Sequence, residues 1–483
     1  MSGDCPEGFG GSGVDRYMPV ILPSSAIDPG LFIANARLVD AGRDALGAVF
    51  VREGRIIAVY EGEEAERMRD ELDGVSVGCG SGPGPGLPEV FDARGLVLMP
   101  SFVDLHAHFR DPGMTAKEDL STGSRAACAG GYGTVVPMAN TDPVISTPEA
   151  ALRVNSLVRD IGLIDAFQAV SLTRDFGGVD VTALESLDAR EVPVASEDGR
   201  DVASADVMRR AMALCARTGV VVSCHCEDAS IAAGAKPLRA GALAALREGN
   251  VARARELLSG AEKILREAED SMTARNLDLA LETGCRVNVT HASTSRAIDL
   301  VRSAKARAKE VSTARTSAIT CDVTPHHLAL TSESTEIVNP PLRGETDRQA
   351  LIAGILDGTV DAIATDHAPH APSDKAAGAP GFSGIQTAFA VCNTALVEAG
   401  IIGLSRLSGL MSANPAKTLG LKRGVLLPGY DADLVLVDPS ERVPGGASVW
   451  YSKNANTPFA GMNLAGRVLK VWKRGKSVYP FTK

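Results

Sequence analysis

This sequence predicts an α/β fold: a (β/α)8 barrel of the TIM type, flanked by a small β-sheet domain formed by both chain ends. Three observations lead there. Between residues 96 and 365 eight short apolar runs recur, most of them separated by helical segments such as 205–217 and 271–282. Alternation of strand and helix is the pattern of a parallel sheet covered by helices. Outside that interval, β-like runs lie close together, divided by turn residues. Finally, all eight histidines fall between residues 106 and 370, each at or just beyond the end of one of the eight runs. The C-terminal strand ends are where barrels build their sites.

Taken in order, residues 1–28 are rich in Gly, Ser and Pro and read as a flexible arm. The runs 31–39, 48–52 and 55–60 are predicted strands of a small antiparallel sheet. Residues 78–88 hold five glycines and three prolines. They read as a surface loop, because the Lys-Ser/Thr ending of a phosphate cradle is missing. The barrel strands are expected at 96–103, 133–138, 166–170, 192–195, 220–224, 286–290, 318–323 and 362–365. Residues 241–269, rich in Arg, Glu and Ala, read as a solvated helix, with an assembly surface as the alternative. Further β runs at 432–437 and 467–473 return to the flanking domain. The expected organisation is an arm at 1–28, a composite β-sandwich from 29–95 and 424–483, and a hydrolase barrel over 96–423.

Composition narrows the function classes. Of 483 residues, 45% are hydrophobic and 22% charged, which is ordinary for a globular enzyme. A net charge of −10 with no basic tract argues against nucleic-acid binding. Nine cysteines in no framework spacing point to free thiols in a reducing compartment. The N-terminus lacks the basic and apolar regions of a secretory signal. No run approaches the roughly 18–20 apolar residues that span a bilayer. A cytoplasmic enzyme acting on a small molecule is expected.

The chemistry centres on Asp104-Leu-His-Ala-His-Phe-Arg-Asp-Pro-Gly113. Residues two apart in a strand share a face, so His106, His108 and Arg110 are expected to project together. Imidazoles bind metal, and a guanidinium holds a carboxylate in bidentate fashion. His225 and His291 follow later strands, and two carboxylates, Asp198 and Asp366, end strands four and eight. Such a set suits a divalent metal with a position left for water, whose pKa the metal lowers towards about 7. Asp366, at the end of a rigid strand, suits a general acid/base. Cys224 and Cys226 should point away from the site. His326 and His327 read as packing or supporting residues, His367 as a residue aimed elsewhere, and 371–379 as a mobile loop over the site.

This constellation resembles the amidohydrolase superfamily, and within it the dihydroorotases of the longer bacterial type. The resemblance runs from about residue 30 to the C-terminus. It is carried by the stretch above, by Gly130-Gly-Tyr-Gly-Thr134 with Met138-Ala-Asn-Thr-Asp142, and by His225-Cys-Glu-Asp228. Val323-Thr-Pro-His-His-Leu328, Val338-Asn-Pro-Pro-Leu-Arg343, Ala364-Thr-Asp-His-Ala-Pro-His370 and Ser452-Lys-Asn-Ala-Asn-Thr-Pro-Phe459 follow in the same order. The resemblance implies a zinc-dependent, reversible cyclisation of N-carbamoyl-L-aspartate to L-dihydroorotate in pyrimidine biosynthesis. It assigns His106, His108 and Asp366 to a first metal position, His225 and His291 to a second, and Asp198 between them, for one or two Zn²⁺ per subunit. Asp366 would be the acid/base. Arg110, Asn140 and His370 would hold the substrate carboxylate, while Asn339, Pro380 and Gly381 would contact the ring. A homodimer and an association with aspartate carbamoyltransferase are also implied.

Related hydantoinases and allantoinases bridge two metals with a carboxylated lysine. No lysine occurs here between Lys117 and Lys236, which covers strands two to five. Asp198 is the evident stand-in, which favours the Asp-using branch. Another cyclic amidohydrolase, or a non-catalytic partner of aspartate carbamoyltransferase, remains as the alternative.

Overall fold

The computed structural model describes residues 28–76, 87–310, 318–446 and 449–481. Nearly all of the expected N-terminal arm and of the Gly/Pro-rich loop lie outside the described residues. The chain opens with strands β1 (Leu31–Asp40), β2 (Arg43–Arg52) and β3 (Arg55–Glu61), then β4 (Glu89–Asp92) and β5 (Val97–Pro100). Eight short strands follow: β6 (Phe102–Ala107), β7 (Tyr132–Pro137), β8 (Asp165–Ala166), β9 (Val194–Ser196), β10 (Val221–Cys224), β11 (Val287–Val289), β12 (Ile319–Val323) and β13 (Ala362–Ile363). The chain closes with β14 (Leu434–Pro444), β15 (Asn463–Lys473) and β16 (Lys476–Tyr479).

Strands β6 to β13 form the barrel. All their pairings are parallel, in two arcs, β6-β7-β8 and β9-β10-β11-β12-β13. Parallel bridges from Val170 to Ala195 and from Ala107 to His367 join the arcs into a ring. The strands are almost wholly buried, because helices cover the outside and side chains fill the inside, which is why they read as unbroken apolar runs. Val103, Leu105, Val136, Met138, Val194, Ala362 and Ala364 pack together with Ala416 and Leu419.

The expected first barrel strand, 96–103, is in fact two strands. β5 belongs to the flanking sheet, between β1 and β14, and the barrel begins only at Phe102. The break falls at Pro100, which has no N–H to continue a ladder. An apolar run carries no mark of the bend, since both pieces are buried. In the flanking sheet, β1, β2 and β3 pair antiparallel, as expected of the runs at 31–60. Hydrogen bonds link all eight strands into one sheet, in which β1 pairs parallel with both β4 and β5. A register shift between Ile33 and Ala36 lets the long β1 serve β2 throughout while meeting β4 with its first half and β5 with its second.

The 241–269 segment is not one solvated helix. It belongs to two, Lys236–Arg247 and Val251–Thr283, with Asn250 capping the second through a bond accepted from the Arg253 N–H. Ala242, Ala245 and Ala254 are buried between them, where small side chains allow close approach. Arg247, Arg253 and Arg255 are exposed as expected, but Arg266, and Arg239 just before the segment, reach inward. Arg239 donates to Val338 O and Asn339 Oδ1, and Arg266 pairs with Asp347 at 2.6 Å.

A buried arginine joins barrel to sheet. Arg423 Nη1 donates to Thr134 Oγ1 at 2.6 Å and pairs with Asp165 at 2.9 Å and Asp433 at 3.3 Å, while Nη2 pairs with Asp431 at 3.0 Å. Despite burial, the Arg423 and Lys473 charges hold the Asp165 carboxyl below its ordinary range. Removing one member of a buried charge cluster leaves the others unpaired, at about 3–5 kcal/mol. We therefore expect Arg423→Met to lower unfolding stability by about that amount, read by urea denaturation, while metal content at saturating metal is retained.

Candidate metal centre and active site

The site is assembled from loops beyond five strand ends. His106 lies within β6, and His108 and Arg110 follow it; Asp198 comes two residues after β9, His225 one after β10, His291 two after β11 and Asp366 three after β13. Strand alternation accounts only in part for the meeting of the first three, because β6 ends at Ala107. The chain turns sharply here. Arg110, His291 and Asp366 all have positive φ, at 59°, 41° and 46°, and so does Cys226 at 59°. Non-glycine residues in this region carry strain and gather at functional sites.

His106, His108 and Asp366 offer one ligand atom each within 4.8 Å of one another, and so do His106, Asp198 and His291. His106 Nε2 lies 3.2 Å from His108 Nε2, and Asp366 Oδ1 is 3.2 Å from the second and 3.7 Å from the first. On the other side, His225 Nδ1 lies 3.0 Å from His291 Nε2 and 3.2 Å from Asp198 Oδ1. Asp198 stands between the groups: Oδ1 is 3.4 Å from His106 Nε2, and Oδ2 is 3.6 Å from His108 Nε2.

Hydrogen bonds assign the tautomers in the first group. His106 Nδ1 is 3.0 Å from Thr290 Oγ1, whose hydroxyl in turn donates to Asp322 at 3.2 Å. With its own proton committed to Asp322, Thr290 must accept from His106. His108 Nδ1 likewise donates to Asn140 Oδ1 at 2.9 Å. Both Nε2 lone pairs then face one point 3.2 Å apart, beside two buried carboxylates. Only positive charge makes that arrangement favourable. Two nitrogens bound to one tetrahedral zinc at about 2.0–2.1 Å sit roughly 3.3–3.4 Å from each other. The residues present therefore fit a divalent metal with nitrogen and oxygen ligands.

The electrostatics agree. Burial lowers the His106 pKa, but Asp198, with help from Asp366, overrides it and raises the ring to about 9. Burial likewise works against the Asp366 anion, yet the adjoining His108 ring and then His106 and His291 hold its carboxyl well below the usual range. A field that binds a proton this firmly also binds a cation.

Arg110 and His370 form a second cluster at the rim. Arg110 is 9% exposed and makes no ion pair among the described residues, and its Nε is buried without a hydrogen-bond partner. Its Nη2 lies 3.5 Å from His370 Nε2. His370 donates from Nε2 to Pro380 O at 2.8 Å, leaving Nδ1 buried without a partner. Burial, then the Arg110 charge, pushes the His370 pKa down to about 4, so the ring is neutral near pH 7. A buried guanidinium without a carboxylate is unfavourable unless an anion joins it.

The other expected substrate residues are more occupied. Asn140 spends both ends of its amide within the protein, accepting from His108 and donating from Nδ2 to Asp198 Oδ2 at 3.0 Å. It holds a ligand and the central carboxylate in place, and neither bond uses its second Nδ2 hydrogen. Asn339 donates to Glu227 Oε2 at 2.7 Å and accepts from Arg239 at 3.3 Å, with its Nδ2 3.5 Å from His225 Nε2. Gly381 N–H donates to Ile337 O, and Lys375 Nζ donates to Gly381 O and Ala379 O at 3.0 Å. The 371–379 loop thus contains a short helix, Pro372–Ala376, anchored through its lysine.

His326 and His327 are buried outside the ligand groups. His327 accepts from Thr324 Oγ1 at 2.7 Å and donates to Pro340 O at 3.2 Å. His367 Nε2 faces Glu118 at 3.4 Å, and Cys224 and Cys226 are buried thiols. Sequence reasoning missed Thr290, Asp322 and Asp104. Asp104 accepts from Thr365 N–H at 2.9 Å and from its hydroxyl at 2.5 Å, locking the first strand to the eighth. The available signal was a carboxylate inside an otherwise apolar barrel run, which has to be satisfied there.

The fold and this site define a metal-dependent hydrolase barrel, and the comparisons give its family. The chain belongs to the amidohydrolase family, whose pattern matches residues 97–478. It is 36% identical over 451 residues to a protein from Clostridium botulinum (strain Eklund 17B / Type B) named dihydroorotase, covering 93% of this chain and 99% of that one. A dihydroorotase from Thermoanaerobacter sp. (strain X514) is 39% identical over 389 residues, 78% of this chain and 85% of that one. Among solved structures, an L-hydantoinase (dihydropyrimidinase) from Arthrobacter aurescens superposes with a TM-score of 0.75 at 23% identity, covering 94% of this chain and 96% of that one. At that identity the likeness speaks for the fold.

Outer hydrogen bonds to metal-binding histidines are worth about 10–100-fold in metal affinity. Thr290→Val keeps the shape but takes the acceptor from His106 Nδ1. We expect it to weaken metal binding within that range, measured by competition with a chromophoric chelator.

Proposed function

We infer that this chain is a dihydroorotase, interconverting N-carbamoyl-L-aspartate and L-dihydroorotate in the de novo pyrimidine route, with one or two zinc ions held by His106, His108, Asp198, His225, His291 and Asp366. The single observation that carries the reading is Arg110, a buried guanidinium without a carboxylate partner among the described residues, set beside a cluster of metal-binding side chains. The curated relatives support it, since proteins named dihydroorotase match at 35–39% identity over most of the chain.

Zinc, when bound, would supply Lewis acidity at the scissile carbonyl and a water that ionises near neutral pH. The protein's own groups do the rest. Arg110 takes the ring's carboxylate in a two-pronged hydrogen bond, which fixes which edge of the ring faces the ligand cluster. His370, neutral, keeps its Nε2 proton on Pro380 O and leaves Nδ1 as an acceptor. Asn339, held by Glu227 and Arg239, and the Pro380 and Gly381 backbone contact the ring. Ring opening adds water across the amide C–N bond. Asp366 accepts the proton released by the water and delivers it to the departing ring nitrogen, and it reverses these steps in cyclisation. A ring without a carboxylate would leave Arg110 uncompensated, which argues against hydantoin-type substrates.

Among the described residues no helix is long and apolar enough to cross a membrane. The seven described cysteines are buried and unpaired, which supports a reducing, cytoplasmic setting. The homodimer and an association with aspartate carbamoyltransferase rest on the family resemblance.

The deciding test assays zinc-loaded protein on L-dihydroorotate, hydantoin and allantoin, with turnover expected on the first. Arg110→Ala should raise KM for dihydroorotate by about 100-fold, the loss of two charge-assisted hydrogen bonds, with metal content unchanged; an unchanged KM would refute the assignment. Asp366→Asn should lower kcat by about 10²–10⁴-fold while leaving the unfolding midpoint near that of the native protein. Near-normal turnover would remove Asp366 from the proton path.

A further inference from the structure

The segment Ser452–Asn456 lies far along the chain from every ligand, between β14 and β15 of the flanking sheet, and the chemistry above makes no use of it. It nevertheless touches both loops that meet at Arg110 and His370. Towards the loop after β6, Ser452 Oγ donates to the fully buried Glu118, and Lys453 N–H donates to Glu118 Oε1 at 3.3 Å. Asn454 Nδ2 donates to Lys117 O at 2.6 Å. Towards the loop after β13, Asn456 Oδ1 accepts from the His370 N–H at 3.2 Å, and Asn456 Nδ2 donates to Gly381 O at 3.1 Å. Ser383, also fully buried, donates its N–H to Asn456 O at 2.9 Å and its hydroxyl to Asn454 O at 2.6 Å.

Arg110 and His370 come from opposite ends of the barrel sequence, yet they lie 3.5 Å apart at the rim. The direct backbone tie between their loops is the bond from His108 N–H to His367 O at 2.8 Å, two and three residues away. Farther out, the loops face each other through His367 and Glu118 at 3.4 Å and through Lys117 and Asp374 at 3.6 Å, and the segment 452–456 bonds to both loops. One amide, Asn456, fixes the His370 backbone with its oxygen and the Gly381 backbone with its nitrogen, so it sets the spacing of two groups assigned to substrate.

We propose that Asn456 is a positioning residue for substrate-carboxylate binding, and that Ser452–Asn456 acts as a clasp from the flanking sheet that holds the Arg110 and His370 loops in register. This rests on the dihydroorotase reading. No ligand atom bonds to the clasp, so it acts on binding and leaves the metal centre alone. A hydrogen bond between uncharged groups makes a modest net contribution; the Asn456 amide makes one with His370 and one with Gly381, and its oxygen also accepts from the Ser383 hydroxyl at 2.9 Å.

The test is steady-state kinetics on dihydroorotate with zinc-loaded native protein, Asn456→Ala and the isosteric Asn456→Asp. The alanine variant should raise KM by about tenfold, with kcat within about twofold and zinc content unchanged. The aspartate variant keeps the acceptor for His370 N–H and loses the donor to Gly381 O, so its KM should fall between the two. An unchanged KM, a fall in kcat at constant KM, or loss of zinc would each overturn the proposal. Failure of both variants to fold would make the segment a structural brace and overturn it as well. Absence of turnover in the native protein would instead sink the dihydroorotase reading itself.

Discussion

The carboxylate of Asp198 is the constraint on which the site depends. It is buried within 3.7 Å of four imidazole nitrogens, from His106, His108, His225 and His291, and its charge outweighs burial at His106 and His225, raising the pKa of both rings. A short side chain can occupy that centre only if the strand ends converge closely. The barrel supplies the convergence, because β6, β9, β10, β11 and β13 all deliver their C-terminal ends to one face. In the lysine-free interval from strand two to strand five, Asp198 is the residue that brings negative charge to this point.

Around that centre several groups are held by others set behind them. Asp322 fixes Thr290 and the His291 backbone, Thr290 fixes His106, and Asn140 ties His108 to Asp198. Such outer bonds select the nitrogen that faces a metal and hold the ring in place. Asp104 adds the seam between first and last strands. Positive φ at Arg110, His291 and Asp366 belongs to the same economy: strained turns persist because surrounding bonds over-determine them.

The flanking sheet is more than an appendage to this arrangement. Arg423 anchors it to the barrel through three aspartates, and the segment between β14 and β15 reaches the barrel mouth. The helix pair Lys236–Arg247 and Val251–Thr283 plays a comparable part on another side, sending Arg239 to Asn339. Elements distant in sequence thereby fix the rim where substrate selectivity resides.

The sequence by itself determined the alternation of strand and helix, the gathering of histidines at strand ends and the type of ligand each strand offers. These are local properties, set by apolar periodicity and by which side chains can bind a metal. It also marked Arg110, through its place two residues after His108. It did not reveal that 96–103 bends into two sheets, because both halves are buried and a buried run looks the same on either side of a bend. Nor did it show that Asn140 is committed to His108 and Asp198, that Thr290 relays from His106 to Asp322, or that Asn456 joins the His370 and Gly381 backbones. Those facts were decided by tertiary structure alone, since a hydrogen-bond partner is fixed by distance and angle in space, and residues such as Asn456 and His370 are brought together only when the barrel and its sheet close on each other.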